Sequence, residues 1–299
     1  MPNKLRPTQL TDVIGQESII KQLRINIDAA KKLGRAIGHI LLTGMPGLGK
    51  TTLSTIVGNE LGVKTQIANG GNIGTMKSLM PYMARLEHQS VLFIDEIHRI
   101  PMHVEEALYP MMEDFRADLC ENDEPKSLNL PQFTLIGATT DGGMLSSPFF
   151  DRFKHKYTLN LYDADDLSKL ISVNATKLSL SISEAECLSI AKRARGTPRV
   201  ANSLLEWVHE FCIAHSLTAS QQTVNDAMKL RGVDENGLNM DDRVYLAVLE
   251  GTGVPMGLKT LASATGFTTT TITEQIEPFL IRQGLIRKTR TGRVLNERR

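Results

Sequence analysis

Along the first 160 residues the hydrophobic pattern changes period repeatedly. Solid apolar runs at residues 39–43, 91–94 and 133–136 have the length of buried strands. Between them apolar positions recur every three or four residues. Ile20, Leu23, Ile27 and Ala30 predict a helix over 17–33 that stops at Gly34. Further helices are predicted over 51–61, 76–86 and 105–114, with a strand over 64–69. Two short alternating segments, 115–119 and 127–130, bracket a polar acidic stretch at 120–126 and predict a projecting β-hairpin. Strands alternating with helices predict an α/β domain with a mainly parallel sheet, spanning residues 1–162.

From Asp163 the pattern is helical only. Asp163 caps a helix to about residue 178, and Ser183-Glu184-Ala185-Glu186 is a capping box opening a second. Thr197 and Pro198 supply N-cap and N1 of a third, with Val200, Leu204, Val208 and Phe211 along one face. These features predict a small helical domain over 163–233. After Asp234, helices are predicted over 241–250, 258–265 and 269–283, the last with Ile272, Ile276, Phe279 and Leu280 inward. A hairpin of 284–288 and 293–295, turning at Thr291-Gly292, completes a winged helix over 236–299.

The chemistry concentrates at Gly44-Met45-Pro46-Gly47-Leu48-Gly49-Lys50-Thr51, a P-loop pattern lying between a predicted strand and a predicted helix. Its glycines let backbone N–H groups approach phosphates at a helix N-terminus. Lys50 is placed to reach the β- and γ-phosphates of ATP, and the Thr51 hydroxyl to ligate Mg²⁺. The strand ending in Asp95-Glu96 puts two carboxylates at the edge where open α/β sheets bind ligands. Asp95 is assigned to Mg²⁺ through its water shell, and Glu96 to orienting the attacking water. The third apolar run, at 133–136, leads into hydroxyls, of which Thr140 is assigned to the attacking water or γ-phosphate. Arg152, between aromatic residues, fits either a salt-bridged surface arginine or an arginine finger, and spacing leaves both open. Arg199 falls in the first turn of a helix, where a lone cation is disfavoured and a nearby anion would explain it.

The 299 residues, 41% hydrophobic and 22% charged, are an ordinary globular composition. A net charge of +1 excludes a strong overall field, so any nucleic-acid surface must be local. Such a patch is present: Arg282, Arg287, Lys288, Arg290, Arg293, Arg298 and Arg299 against one acid, Glu297. No apolar run reaches the ~18 residues of a membrane span, and residues 1–7 lack a signal-peptide core. Cys120, Cys187 and Cys212 predict neither a disulfide framework nor a zinc site, which fits a cytoplasmic location. Cys212 and His215, at helical spacing without further ligands, are expected to be core and surface respectively.

Taken together, residues 5–7 (Leu-Arg-Pro), the P-loop, VLFIDEIHR at 91–99, YPMMED at 109–114, FTLIGATT at 133–140, RGTPRVA at 195–201 and EPFLIRQGL at 277–285 resemble the RuvB family. These are AAA+ ATPases that drive branch migration at Holliday junctions. The resemblance implies a P-loop AAA+ large domain, a helical lid and a winged-helix head. It further implies a homo-hexamer acting on duplex DNA at four-way junctions, with a RuvA-type partner held by the hairpin at 115–130. Carried over by position, Leu5 and Arg6 are a nucleotide-base arm. Gly47, Lys50, Thr51 and Thr52 contact phosphates and Mg²⁺, Asp95 and Glu96 are the Walker B acids, and Thr140 is sensor 1. Arg152 is an arginine finger toward the neighbouring subunit, Tyr162 a hinge contact to nucleotide, and Arg199 sensor 2. Glu113, Asp114 and Phe115 align with a nucleotide-proximal segment, and Lys288 and Arg293 with two DNA-contacting arginines. Lys288 keeps the charge but lacks the bidentate fork. The hairpin is shorter than usual and acidic at its tip. A clamp-loader-like ATPase that remodels a protein on DNA shares the motor core and is the alternative, as is a non-hydrolysing DNA-binding regulator. The winged helix speaks against the first, and Glu96 with Arg152 against the second.

Overall fold

The computed structural model describes residues 4–121 and 124–296. Glu297, Arg298 and Arg299 of the basic stretch, and Asn122 and Asp123 of the hairpin tip, lie outside them. The chain divides into two compact units, Met1–Leu170 with Thr197–Arg199, and Ile171–Gly196 with Val200–Arg299.

The first unit runs α1 (Glu17–Leu33), β1 (Ile40–Thr43), α2 (Lys50–Leu61), β2 (Thr65–Asn69), α3 (Met76–Met83), β3 (Val91–Asp95) and α4 (Met102–Glu113). It continues through β4 (Arg116–Glu121), β5 (Glu124–Asn129), β6 (Thr134–Thr139), α5 (Ser147–Asp151) and β7 (His155–Thr158). The start of α6 (Ala164–Lys177) closes it. Five strands form one parallel sheet in the order β2-β3-β6-β1-β7. Alternation along the strands serves two cores. Leu41, Leu92, Ile94 and Leu135 face one that includes Leu79 of α3 and Val104 and Leu108 of α4. Ile40, Leu42, Phe93 and Ile136 face the other, with Leu23 and Ile27 of α1 and Leu53 and Ile56 of α2. Both faces are thus covered, as the near-solid apolar runs require.

Three sequence expectations change here. Helix α4 starts at Met102 rather than Glu105, because Pro101 takes the N-cap position. The hairpin strands run on through Glu121 and Glu124, so most of the expected acidic turn is paired backbone. Strand β7 was not foreseen: it is an edge strand with only Tyr157 buried, and its polar residues hide it from a search for apolar runs.

The second unit contains the rest of α6, then α7 (Glu184–Arg193), α8 (Pro198–His215, from Val200), α9 (Gln221–Leu230), α10 (Met240–Thr252) and α11 (Leu258–Thr265). Last come α12 (Glu277–Arg282), β8 (Ile286–Thr289) and β9 (Gly292–Leu295). The capping box at Ser183 forms as expected. Helix α9 was missed, although Ser220 as N-cap with Val224, Ala227 and Met228 inward carried its signal. In α8 the buried face is Ala201, Leu204, Leu205, Val208 and Cys212, with Val200 and Phe211 at its margins. Cys212 is buried and His215 exposed, as read from sequence.

The last helical stretch of the winged helix is not regular. Residues 271–276 form a π-helix leading directly into α12. Pro278 explains this, since it has no N–H for the Glu274 carbonyl. The four inward residues nevertheless remain buried. The wing turns at Arg290-Thr291, with Thr289 opposite Gly292, one residue earlier than the sequence suggested. Arg195 ties the helical part of this unit to the winged helix. Its Nε donates to the Gly237 carbonyl at 2.9 Å, its guanidinium pairs with the buried Asp242, and its Cζ lies 4.3 Å from the centroid of the Phe279 ring.

Candidate nucleotide site and wing

Strand β1 delivers the chain into the P-loop and α2 carries it away. Gly47 and Gly49 hold φ of +85° and +99°, a region L side chains rarely adopt, and Gly49 is the N-cap of α2. A Cβ on Gly47 would come 3.0 Å from that of Arg199, whose backbone N–H donates to the Gly47 carbonyl at 3.3 Å. Arg199, an exposed residue, is therefore seated on the loop.

Lys50 opens α2 and is only 9% exposed. Its Nζ donates to the Gly44 and Met45 carbonyls at 2.6 and 3.1 Å. Burial lowers its pKa. The Asp95 carboxylate opposes that, the Arg199 charge adds to it, and Glu96 opposes it. Thr51 Oγ1 donates to Asp95 Oδ2 at 3.3 Å, which puts a hydroxyl and a carboxylate side by side at the strand edge. An all-oxygen pair of this kind suits a hard cation such as Mg²⁺. Thr52 follows on α2, half-buried.

Asp95 ends β3, and Glu96 follows in the left-handed region at φ +49°. Such a backbone costs about 1–3 kcal/mol and persists where its surroundings impose it. Here Gly70 faces it so closely that a Cβ there would lie 2.3 Å from the Glu96 carbonyl oxygen. The Glu96 carboxylate pairs with Arg99 at 3.4 Å, a partner the sequence did not single out. Strand β6 lies between β3 and β1, so its C-terminal end falls between the acids and the P-loop. Thr139 is buried there, bonded to His98 and to the backbone of Asp141, whereas Thr140 is exposed.

Tyr162 packs on Gly15. A Cβ at Gly15 would be 2.7 Å from the Tyr162 ring. Burial, opposed by a hydrogen bond with Gln16 and reinforced by Asp166, pushes the Tyr162 phenol up to about 12. Leu5 is buried and Arg6 exposed. The arm that follows is stitched to α2, with Asn59 donating to the Thr8 carbonyl and Leu10 N–H to Glu60.

Arg152, Glu113 and Phe115 gather elsewhere in the unit, lining a cavity of about 380 Å³ with Arg35, His39 and Lys154 and without any P-loop residue. Asp114, the C-cap of α4, is exposed between Glu113 and Phe115. Arg152 Nε lies 3.1 Å from Glu113 Oε1, and its guanidinium covers the Tyr109 ring at 3.8 Å.

In the wing, Lys288 and Arg293 face each other across the hairpin and share one acid. Lys288 Nζ lies 2.7 Å from Glu277 Oε2, and Arg293 Nε donates to Glu277 Oε1 at 2.7 Å. Tyr245 donates to the same Oε1 at 3.1 Å. Glu277 is fully buried, which alone would push its carboxyl up. Hydrogen bonds and charge from Arg293 and Lys288 outweigh that and hold it below the ordinary glutamate value.

Comparison with known proteins now bears on this geometry. The family model of the Holliday junction DNA helicase RuvB P-loop domain matches residues 5–159, that of the RuvB AAA lid domain 162–234, and that of the RuvB C-terminal winged helix domain 235–298. The Holliday junction branch migration complex subunit RuvB of Rhodopirellula baltica is 40% identical over 297 residues, covering 97% of this chain and 81% of that protein. The RuvB Holliday junction branch migration motor of Thermotoga maritima superposes with a TM-score of 0.87 at 36% identity, covering 99% of this chain and 96% of that one. The FIGL-1 AAA domain solved with ADP shares the fold alone, with a TM-score of 0.56 at 18% identity, covering 75% of this chain and 85% of that one. With three consecutive family domains matched from residue 5 to residue 298, the chain belongs to the RuvB family.

Proposed function

We propose that this chain is the ATP-hydrolysing motor subunit of a Holliday junction branch migration complex. The observation that carries the reading is the conjunction of Lys50, Thr51 and Asp95 at one strand edge, with a hydroxyl–carboxylate pair 3.3 Å apart beside a positive-φ loop. Thr51 and Asp95 are the residues that would hold Mg²⁺, which would supply positive charge against the charge developing on the phosphates. Lys50 exchanges its two carbonyl partners for β- and γ-phosphate oxygens. Glu96 and Thr140 orient the attacking water, and Arg199, seated on the loop, supplies a further cation. Gly47 and Thr52 bind phosphate, Leu5 and Arg6 border the base, and Tyr162 is a further nucleotide contact.

Arg152 belongs to a different face. Its cavity contains no P-loop residue, so we assign it to the ATP of a neighbouring subunit. Glu113, Asp114 and Phe115 go with it, which makes that segment nucleotide-proximal in trans. A site divided between neighbours fits a ring, which we take to have six subunits on the family resemblance, each with large domain 1–162, lid 163–233 and head 236–299. The head binds duplex DNA at four-way junctions through Lys288 and Arg293, and the hairpin at 115–130 meets a RuvA-type partner. The location is the cytoplasm. Among the described residues no helix is long and apolar enough to cross a membrane.

Steady-state ATP hydrolysis with and without duplex DNA, at low and moderate salt, tests the reading. Stimulation by DNA that weakens with salt and is lost in Lys288→Ala/Arg293→Ala is expected. Hydrolysis indifferent to DNA, both alone and with a RuvA-type protein added, would overturn it.

A further inference from the structure

The sequence offers no reason to look at Tyr109 beyond its place in a family segment, yet the assigned finger is built around it. Helix α5 presents Arg152 at its C-cap and Ser146 at its N-cap. Ser146 accepts from the Phe149 N–H at 3.3 Å and also donates to the buried Glu105 of α4. The Tyr109 hydroxyl, one turn along α4, donates to Glu105 Oε1 at 3.1 Å and lies 3.1 Å from Ser146 Oγ. Three polar groups thus pin α5 to α4 and fix the Tyr109 ring, which also packs on Phe149 at 6.0 Å between centroids.

The face of that fixed ring carries the Arg152 guanidinium, with Cζ 3.8 Å from the centroid. One guanidinium nitrogen donates to the Pro148 carbonyl at 2.7 Å. Nε is buried beside Glu113 but makes no aligned hydrogen bond. The cation is therefore oriented by the ring and the Pro148 carbonyl rather than by Glu113, because an ion pair with a half-exposed carboxylate is weak and a cation over an aromatic face is favourable when partly desolvated. A long arginine side chain otherwise samples many rotamers, and transition-state stabilisation depends on donors placed beforehand.

We propose that Tyr109 is a positioning residue for Arg152: the face of its ring, packed on Phe149, holds the guanidinium in the direction from which it meets the neighbouring subunit's ATP. This rests on the finger assignment made above, and the experiment separates the two.

In the full-length chain, ATP turnover, KM for ATP, affinity for a fluorescent ADP and the thermal unfolding midpoint are measured for Arg152→Ala, Tyr109→Met and Tyr109→Phe. Small misplacements of a catalytic group cost about 10²-fold. The expected result is therefore a kcat about 10²-fold lower in Tyr109→Met, with KM and ADP affinity unchanged and unfolding still cooperative at a somewhat lower midpoint, and a kcat within about threefold of the parent in Tyr109→Phe. If Arg152→Ala turns over normally, the finger assignment fails and this proposal with it. If Arg152→Ala collapses while Tyr109→Met keeps its kcat, or if Tyr109→Phe falls as far as Tyr109→Met, the positioning role alone is overturned. Should Tyr109→Met lose cooperative unfolding, phenylalanine is compared with trifluorophenylalanine at position 109, since the fluorines drain the ring face but keep its shape. A lower kcat for the fluorinated ring supports the proposal, and equal rates overturn it.

Discussion

The P-loop and the wing both carry cations that we assign to phosphate, but they hold them differently. At the P-loop, Lys50 rests on two backbone carbonyls, neutral groups that a phosphate displaces at small cost. In the wing, Lys288 and Arg293 already share a full negative charge on the buried Glu277. The first is a socket whose charge is left for a ligand. The second is a structural ion cluster with a net charge of one positive left over. A phosphate approaching the wing must share its cations with Glu277, so DNA affinity there should depend more on several weak contacts than on one strong one.

The largest effects should come from the nucleotide side. Lys50→Ala should abolish turnover, and Arg152→Ala should lower kcat by about 10³–10⁵ while leaving ADP affinity nearly unchanged. Titration with a fluorescent nucleotide beside a steady-state assay would show both. If Lys50→Ala kept its turnover, the contrast between socket and cluster would collapse from the socket's side.

Next comes Glu277. Removing one partner of a buried ionic cluster costs about 3–5 kcal/mol. Arg293 is 16% exposed and Lys288 half exposed, which places Glu277→Ala toward the low end of that range. Thermal melts of the full chain should show the loss, with Glu277→Gln milder because its amide oxygen still accepts from Arg293. The pH dependence has a definite sign. The folded-state pKa of Glu277 is depressed, so its contribution is fully present above the ordinary glutamate value and disappears as pH falls through the lowered one. Glu277→Gln should flatten that acid limb, and an unchanged limb would mean that Glu277 does not hold the wing.

The same contrast explains what could be read from the sequence. The P-loop was legible because its function lies in contiguous backbone, where Gly47, Gly49, Lys50 and Thr51 occupy fixed offsets between a strand and a helix. The positions of the sheet strands were legible, three of them as apolar runs, except for β7, whose His155-Lys156-Tyr157-Thr158 buries a single side chain. The surroundings of Arg152 were illegible, since Glu113, Tyr109 and Arg152 meet only through the packing of α4 on α5. In the wing the sequence yielded a count of positive charges but not their pairing. Glu277 fell inside the helix predicted over 269–283, where nothing marked it as the buried partner of the wing's cations.

The smallest effect is also the sharpest test of the wing. Lys288 is half exposed, and Glu277 keeps Arg293 when it is removed. Lys288→Ala should therefore leave the melting midpoint nearly unchanged, and lower the slope of log K against log salt for duplex DNA by about one, the loss of a single phosphate contact. Arg293→Ala removes the better-buried partner, so it should weaken DNA binding and also lower the midpoint, because Glu277 is left with the Tyr245 hydroxyl and one flexible ammonium. Two variants that both lose DNA while only one loses stability would mean that the cluster has a structural half and a binding half. If Lys288→Ala left the salt slope untouched, Lys288 would be committed to Glu277 in the complex as in the free chain, and the DNA contact would have to come from other basic residues of the wing.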